Sequence, residues 1–247
     1  MLAGAALSYD IAVIGGGGSG LAAAVFAARI AQGRFSVALL EKAPRVGRKL
    51  LATGNGTCNI SNKRAVVERY HGTRPEFVIP SLDRFSPDAV CSFFTSIGVE
   101  CIRREDGRIY PLCLQAGAVL DCLRMELDAL GIHNIPDTAV THIKKMDGGF
   151  QIKTSSGEIQ VRRVLVCTGG AASPSLGGSA EAYSLLTDIG HHLTPIFPSI
   201  VQVRTDTKFI KAVKGIRVEA QISFELDGRR LAFEKGEVLF TEYGLSG

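Results

Sequence analysis

Several patterns are missing from this 247-residue sequence, and each absence removes a class of protein. The six cysteines (58, 91, 101, 113, 122 and 167) contain no C-x-x-C pair, and no export signal accompanies them. That excludes a secreted disulfide framework and reads as reduced thiols in a cytoplasmic protein. Metal-ligand spacing is absent, and so is any convincing Ser-His-Asp arrangement. The only histidine pair is His191-His192. Neighbours on a regular element point in different directions, so one surface and one packed histidine are expected. The net charge is only +4. Its basic residues are scattered and lack the interleaved aromatics that stack on bases, so no nucleic-acid partner is expected. The run Ile11 to Ala28 carries no charge for 18 residues, long enough to suggest a membrane span. Five glycines within it, and no basic residue before it, remove that reading.

What remains is a globular composition, 46% hydrophobic and 21% charged. One stretch organises it. Ile11 to Ile14 is a short apolar run that predicts a buried strand. The chain then passes Gly15, Gly17 and Gly20, spaced G-x-G-x-x-G, into an Ala-rich helix from Leu21 to about Gly33. Phe35 to Leu40 predicts a second buried strand, which leads into Glu41, 21 residues after Gly20. Each glycine has its own job: Gly15 the tight turn, Gly17 close approach to a pyrophosphate, Gly20 close packing of helix on strand. Gly18 and Ser19 complete a helix start whose free N–H groups and dipole suit phosphate. Glu41 is placed to accept from ribose hydroxyls. Strand, turn, helix, strand and acid in this order define a dinucleotide-binding unit. A second G-x-G-x-x-G is absent, so no separate nicotinamide site is visible.

After Lys42 the chain departs from an ordinary dehydrogenase. A basic loop, Gly47-Arg48-Lys49, runs into a Gly/Asn-rich loop from Thr53 to Asn62 in place of another helix and strand. Arg48 and Lys49 would neutralise a pyrophosphate. The second loop would bring backbone amides to a flat polar ring or to phosphate. Asn59 and Asn62 suit either ligand contact or Asx turns within the loop.

The opening motif, Glu41-Lys42 and Gly47-Arg-Lys-Leu-Leu-Ala-Thr-Gly-Asn-Gly-Thr-Cys-Asn59 together resemble the BaiN-type flavoproteins. These are bacterial NAD(P)/FAD-dependent oxidoreductases, also labelled the aminoacetone oxidase family, in the glutathione-reductase-like and fumarate-reductase-like FAD superfamily. Their pattern G-R-K-x-L-x-S-G-N-G-R-C-N-x-T-N differs here at Thr53, Thr57 and Ser61. The resemblance implies bound FAD, with NAD(P)H as a transient reductant and a small-molecule substrate. It also implies cofactor contacts from Lys42, Gly54, Asn55, Cys58 and Asn59. A backbone contact of Val140 with adenine is implied as well, and Thr168-Gly169-Gly170 is implied as the superfamily's A-T-G turn, with Cys167 for its Ala. The disulfide reductases separate their flavin-facing cysteines by four residues. Lys63 holds that position after Cys58, so no local redox disulfide is expected.

Further along, Ser86-Pro87 to Gly98 predicts a helix with an N-cap, a proline in first place and glycine past its end. Apolar positions 116, 119, 120, 123, 127 and 130 predict another helix, ended by Gly131. Phe150–Thr154 and Glu158–Val161 predict a hairpin, and Val164–Cys167 a separate buried strand. Residues 1–8 read as a disordered lead-in. From about 204 the pattern becomes β-rich, with a hairpin turning at Asp227-Gly228.

The expected fold is α/β: a Rossmann-like, three-layer FAD-binding domain over 1–203, then the start of a β-rich inserted domain over 204–247. By the resemblance that insertion is incomplete, since the family continues past Gly244-Leu-Ser-Gly247 and returns to close the flavin site. The expected activity is that of an FAD-dependent oxidoreductase. A non-catalytic adenine-nucleotide-binding fragment and a flavoprotein that modifies nucleic acid stay open beside it.

Overall fold

The computed structural model describes residues 7–198 and 201–247 and divides into two compact units after Leu193. That division falls ahead of the 203/204 boundary drawn from the sequence. In the first unit the opening strand, β1, covers Leu7–Ile14. Leu7 and Ser8 are not part of a loose lead-in, because they pair with Ile159 and Gln160; positions 1–6 lie outside the described residues. The first helix, α1 (Gly18–Ala31), starts ahead of Leu21 because the Leu21 amide already donates to Gly17 at 2.9 Å. It is followed by β2 (Val37–Leu40).

Residues Leu50–Gly56 form a kinked 3-10 segment where an open loop was expected. Then come β3 (Ser61–Asn62), α2 (Ile79–Arg84), α3 (Pro87–Ser96), β4 (Cys101–Arg103), β5 (Arg108–Pro111) and α4 (Ala116–Ala129). The capping read from the sequence is present in α3: the Ser86 hydroxyl accepts from the Ala89 amide at 3.2 Å, and Pro87 occupies the first turn. The unit continues through β6 (His133–Ile135), β7 (Val140–Met146), β8 (Gly149–Thr154) and β9 (Gly157–Val166), with α5 (Ser184–Thr187) after them.

A six-stranded sheet runs in the order β6-β2-β1-β9-β8-β7. The first four strands are parallel, and β9, β8 and β7 form an antiparallel meander. The hairpin strand and the strand expected at Val164–Cys167 are one element. Along β9, Val161 pairs with Tyr9 and Val164 with Ala12 in a single ladder, so nothing interrupts it. All four residues of β2 are buried, as a parallel strand covered on both faces requires. Val13, Val37 and Leu39 meet Leu21 and Val25 of α1 and Leu120, Leu123 and Leu127 of α4. Ala12, Ile14, Ala38 and Leu40 meet Ile143, Ile152 and Ile159 of the meander and Leu185 of α5. Each such leucine stabilises by about 1.5–3 kcal/mol. Helices, parallel sheet and meander make the three layers expected of a Rossmann-like FAD domain. A smaller antiparallel sheet, β3-β5-β4, carries the chain after the 3-10 segment.

The second unit is an antiparallel sheet of β10 (Val203–Arg204), β11 (Arg217–Leu226), β12 (Arg229–Phe240) and β13 (Gly244–Ser246), ordered β10-β13-β12-β11. Asp227 and Gly228 join β11 to β12 with φ of 51° and 75°, the two positive values of a type I′ turn. His191 and His192 are both exposed, contrary to the expected packed partner, since no regular element passes through them. Among the described residues no helix is long and apolar enough to cross a membrane.

Replacing Ser86 with Ala removes the hydroxyl that accepts from the start of α3. Stability should fall by about 1 kcal/mol, read as a lower denaturation midpoint at unchanged slope.

Candidate dinucleotide-binding site

The carboxyl ends of β1, β2 and β9 open into a cavity of about 820 Å³, within the usual range for small-molecule sites. This is the edge of the sheet where β1 connects one way to β2 and lies against β9 on the other side, the place where open α/β sheets bind ligands. Its floor is the turn after β1. Gly15 adopts φ +101°, and a Cβ there would lie 2.6 Å from the Cys167 carbonyl oxygen. A Cβ on Gly20 would lie 1.7 Å from the Gly15 oxygen, so Gly20 stands behind the cavity as the packing glycine. Gly17 is different. Its φ of −76° suits any residue, and a Cβ there would meet nothing within 4 Å. Neither strain nor crowding within the protein calls for glycine at that position, and the turn is open for a ligand to lie against. The first turn of α1 holds no acidic side chain, which leaves its amides and dipole free for an anion.

Glu41 lines the same cavity, and its carboxylate is already at work. Oε2 accepts from the Gly16 amide at 2.6 Å and Oε1 from the Ala43 amide at 2.8 Å. From the other side the Gly47 amide donates to the Gly16 carbonyl at 2.8 Å. A carboxylate offers about four lone-pair positions, so each oxygen keeps capacity for a ribose hydroxyl. Lys42, Arg45, Arg48 and Lys49 line the cavity against only two acids, Glu41 and Glu181. Arg48 donates to the Ser175 carbonyl at 3.0 Å and Lys49 to the Ala172 carbonyl at 2.8 Å, tying their loop to residues 172–175. Both cations have further donors to offer an incoming diphosphate.

Gly15, Gly17, Gly18, Ser19, Cys58, Asn59, Val140, Thr168 and Gly169 also reach the cavity, from four separate stretches of chain. Gly54 and Asn55 do not line it; they sit at the exposed kink of the 3-10 segment, with φ of 56° and 55°. Gly170 is not at its wall, and a Cβ there would lie 2.6 Å from the Tyr183 hydroxyl. Asn62 caps an Asx turn, accepting from the Arg64 amide at 2.8 Å. Cys58 is buried in a left-handed conformation, and burial pushes its thiol up from the ordinary range. Burial lifts Cys167 likewise, with the Ser19 hydroxyl beside it acting the other way. All six cysteines are free. Thr53, Thr138, Ser179, Glu181 and Leu185 line the cavity without having been singled out in the sequence. Thr53, Ser179 and Glu181 lay inside stretches that resemble motifs of the family, 173–183 for the latter two, and could have been flagged; Thr138 and Leu185 could not.

The open space over Gly17, the acid-free helix start and the surplus of cations fit a dinucleotide diphosphate. A three-layer Rossmann-like domain with this cradle has the fold of the FAD-dependent oxidoreductases. The chain belongs to the family described as HI0933-like protein Rossmann domain, which matches residues 9–243. It is 37% identical over 237 residues to the 3-dehydro-bile acid delta(4,6)-reductase of Clostridium scindens, covering 96% of this chain and 58% of that protein. It is 27% identical over 242 residues to the ribosomal RNA dihydrouridine synthase of Haemophilus influenzae, covering 95% and 58%. The chain therefore spans a little over half the length of these curated relatives. Among solved structures, the open form of a flavocytochrome c3 fumarate reductase shares the fold, with a TM-score of 0.58 at 18% identity over 88% of this chain and 48% of that one.

The two glycines should separate in experiment. Gly17→Ala should keep stability within about 1 kcal/mol but lose most of its affinity for ADP and FAD by titration calorimetry. Gly20→Ala should cost on the order of 3 kcal/mol of stability through overpacking, read by denaturation without any ligand.

Proposed function

We propose that the protein carrying this chain is a NAD(P)H-linked FAD oxidoreductase that reduces a carbon–carbon double bond in a small cyclic substrate. The observation that carries this is the 37% identity, across 96% of the chain, to a relative named as a reductase of bile acid double bonds. FAD, when bound, takes a hydride from one partner and gives it to another. The residues of the chain hold and orient it. Glu41 accepts from the adenosine ribose, and the α1 amides with Lys42, Arg48 and Lys49 balance the diphosphate. The backbone at Ala139 and Val140 meets adenine. Cys58, Asn59, Thr168 and Gly169 face the ring end of the cavity. With one G-x-G-x-x-G in the sequence, the nicotinamide reductant binds transiently. The unpaired thiols support a cytoplasmic setting.

A second reading, reduction of uridine in ribosomal RNA, is favoured by the relative from Haemophilus influenzae and by a further one of the same name from Escherichia coli, 24% identical over 243 residues. Anaerobic NADPH oxidation by the FAD-loaded protein, offered a conjugated steroid ketone or unmodified ribosomal RNA, separates the two. Turnover with the ketone and none with RNA is expected; dihydrouridine formed in the RNA would overturn the first reading. Glu41→Ala should weaken FAD binding by about 1.5–3 kcal/mol, roughly ten- to a hundredfold, in a fluorescence titration. Unchanged affinity would remove Glu41 from the site.

A further inference from the structure

Away from the cavity, α3 and β4 bring two thiols face to face. Asp88 and Cys91 stand three residues apart on α3 and so share a helix face. Cys101 and Arg103 stand two apart on β4 and share a strand face. Arg103 donates to the Asp88 carboxylate, which sets that helix face against that strand face. Cys91 therefore lies opposite Cys101. Cys91 is an immediate neighbour of both the Cys101 thiol and the Arg103 guanidinium. Both cysteines are half-buried, both are free, and neither lines the dinucleotide cavity.

We propose that Cys91 and Cys101 are a reversible oxidation site, closing to a disulfide when the protein meets hydrogen peroxide. The roles of the two sulfurs differ. Burial, with Cys91 next to it, pushes the Cys101 thiol up to about 12, so Cys101 keeps its proton. Cys91, with a guanidinium against it, is the attacking sulfur. It attacks one peroxide oxygen, the O–O bond breaks, and the departing hydroxide takes the Cys91 proton to become water. Cys91 is then a sulfenic acid. The Cys101 sulfur next attacks the Cys91 sulfur, the S–O bond breaks, and the departing hydroxide leaves as a second water with the Cys101 proton. Two thiols lose two electrons in all, and one peroxide takes them.

The link would join the helix that carries Phe94 to the small sheet whose Ile109 carbonyl accepts from Ile60 at 2.8 Å. Phe94 and Ile60 both line the cavity. The site itself does not depend on flavin binding.

The test uses the whole chain, reduced, desalted and treated with a small excess of hydrogen peroxide before alkylation with N-ethylmaleimide. Cys91 and Cys101 fall on one tryptic peptide, residues 85–103. After peroxide that peptide should be lighter by two hydrogens and take up at least tenfold less maleimide, and dithiothreitol should restore both. Cys91→Ser should leave Cys101 fully alkylated after peroxide. Cys101→Ser should leave a sulfenic acid at Cys91 that dimedone captures, which keeps the proposal testable if the first variant folds poorly. Full alkylation of both cysteines after peroxide, or a disulfide that pairs either with another cysteine, would overturn it.

Discussion

The peptide unit at Gly16 is held from two sides, and the rest of the site is arranged around that grip. The Glu41 carboxylate accepts from the Gly16 N–H, and the Gly47 amide donates to the Gly16 carbonyl. One end of the grip comes from β2, the other from the basic loop after it. The turn that would meet a diphosphate is therefore shaped before any ligand arrives, and the loop carrying Arg48 and Lys49 is tethered to it. A charge-assisted bond of 2.6 Å in a half-buried setting is among the stronger contacts of the unit. It gives the acid at the end of β2 a structural duty besides any contact with ribose.

The three motif glycines show how far the sequence could be read. Spacing alone assigned Gly15, Gly17 and Gly20 different duties, and the backbone bears out the turn at Gly15 and the close packing at Gly20. The elements around them were legible for the same reason: an uninterrupted apolar run, a small-residue helix and a capping serine each have a local physical cause. Boundaries were less so. Leu7 and Ser8 joined β1, and one strand replaced two at β9, because both depend on pairing with a partner far away in sequence. No local pattern encodes that partner.

The site was legible where one segment makes it and opaque where several converge. Thr138 and Leu185 line the cavity from just ahead of β7 and from α5; alone, each is an ordinary loop or helix residue. Gly54 and Asn55 erred in the opposite direction. Glycine and asparagine at that spacing suggested amides turned towards a ligand, yet their left-handed backbone serves a kink in an exposed 3-10 segment. Arg48 and Lys49 were read as partners of phosphate. They line the cavity and at the same time hold a second loop through its carbonyls, which no residue type could announce.

The pairing of β1 with β9 bears on the order in which the molecule assembles. Leu7 meets Ile159 across 152 positions (159 minus 7), whereas β8 and β9 turn back on each other at Thr154 and Gly157. Loop closure favours the near contact, so the meander can form early and the parallel ladder late. The cradle needs that ladder, since Gly15 is wedged against Cys167 at the end of β9. A nascent chain has no cradle until its slowest contact has closed, and a nucleotide that binds only the closed form draws the folding equilibrium towards it.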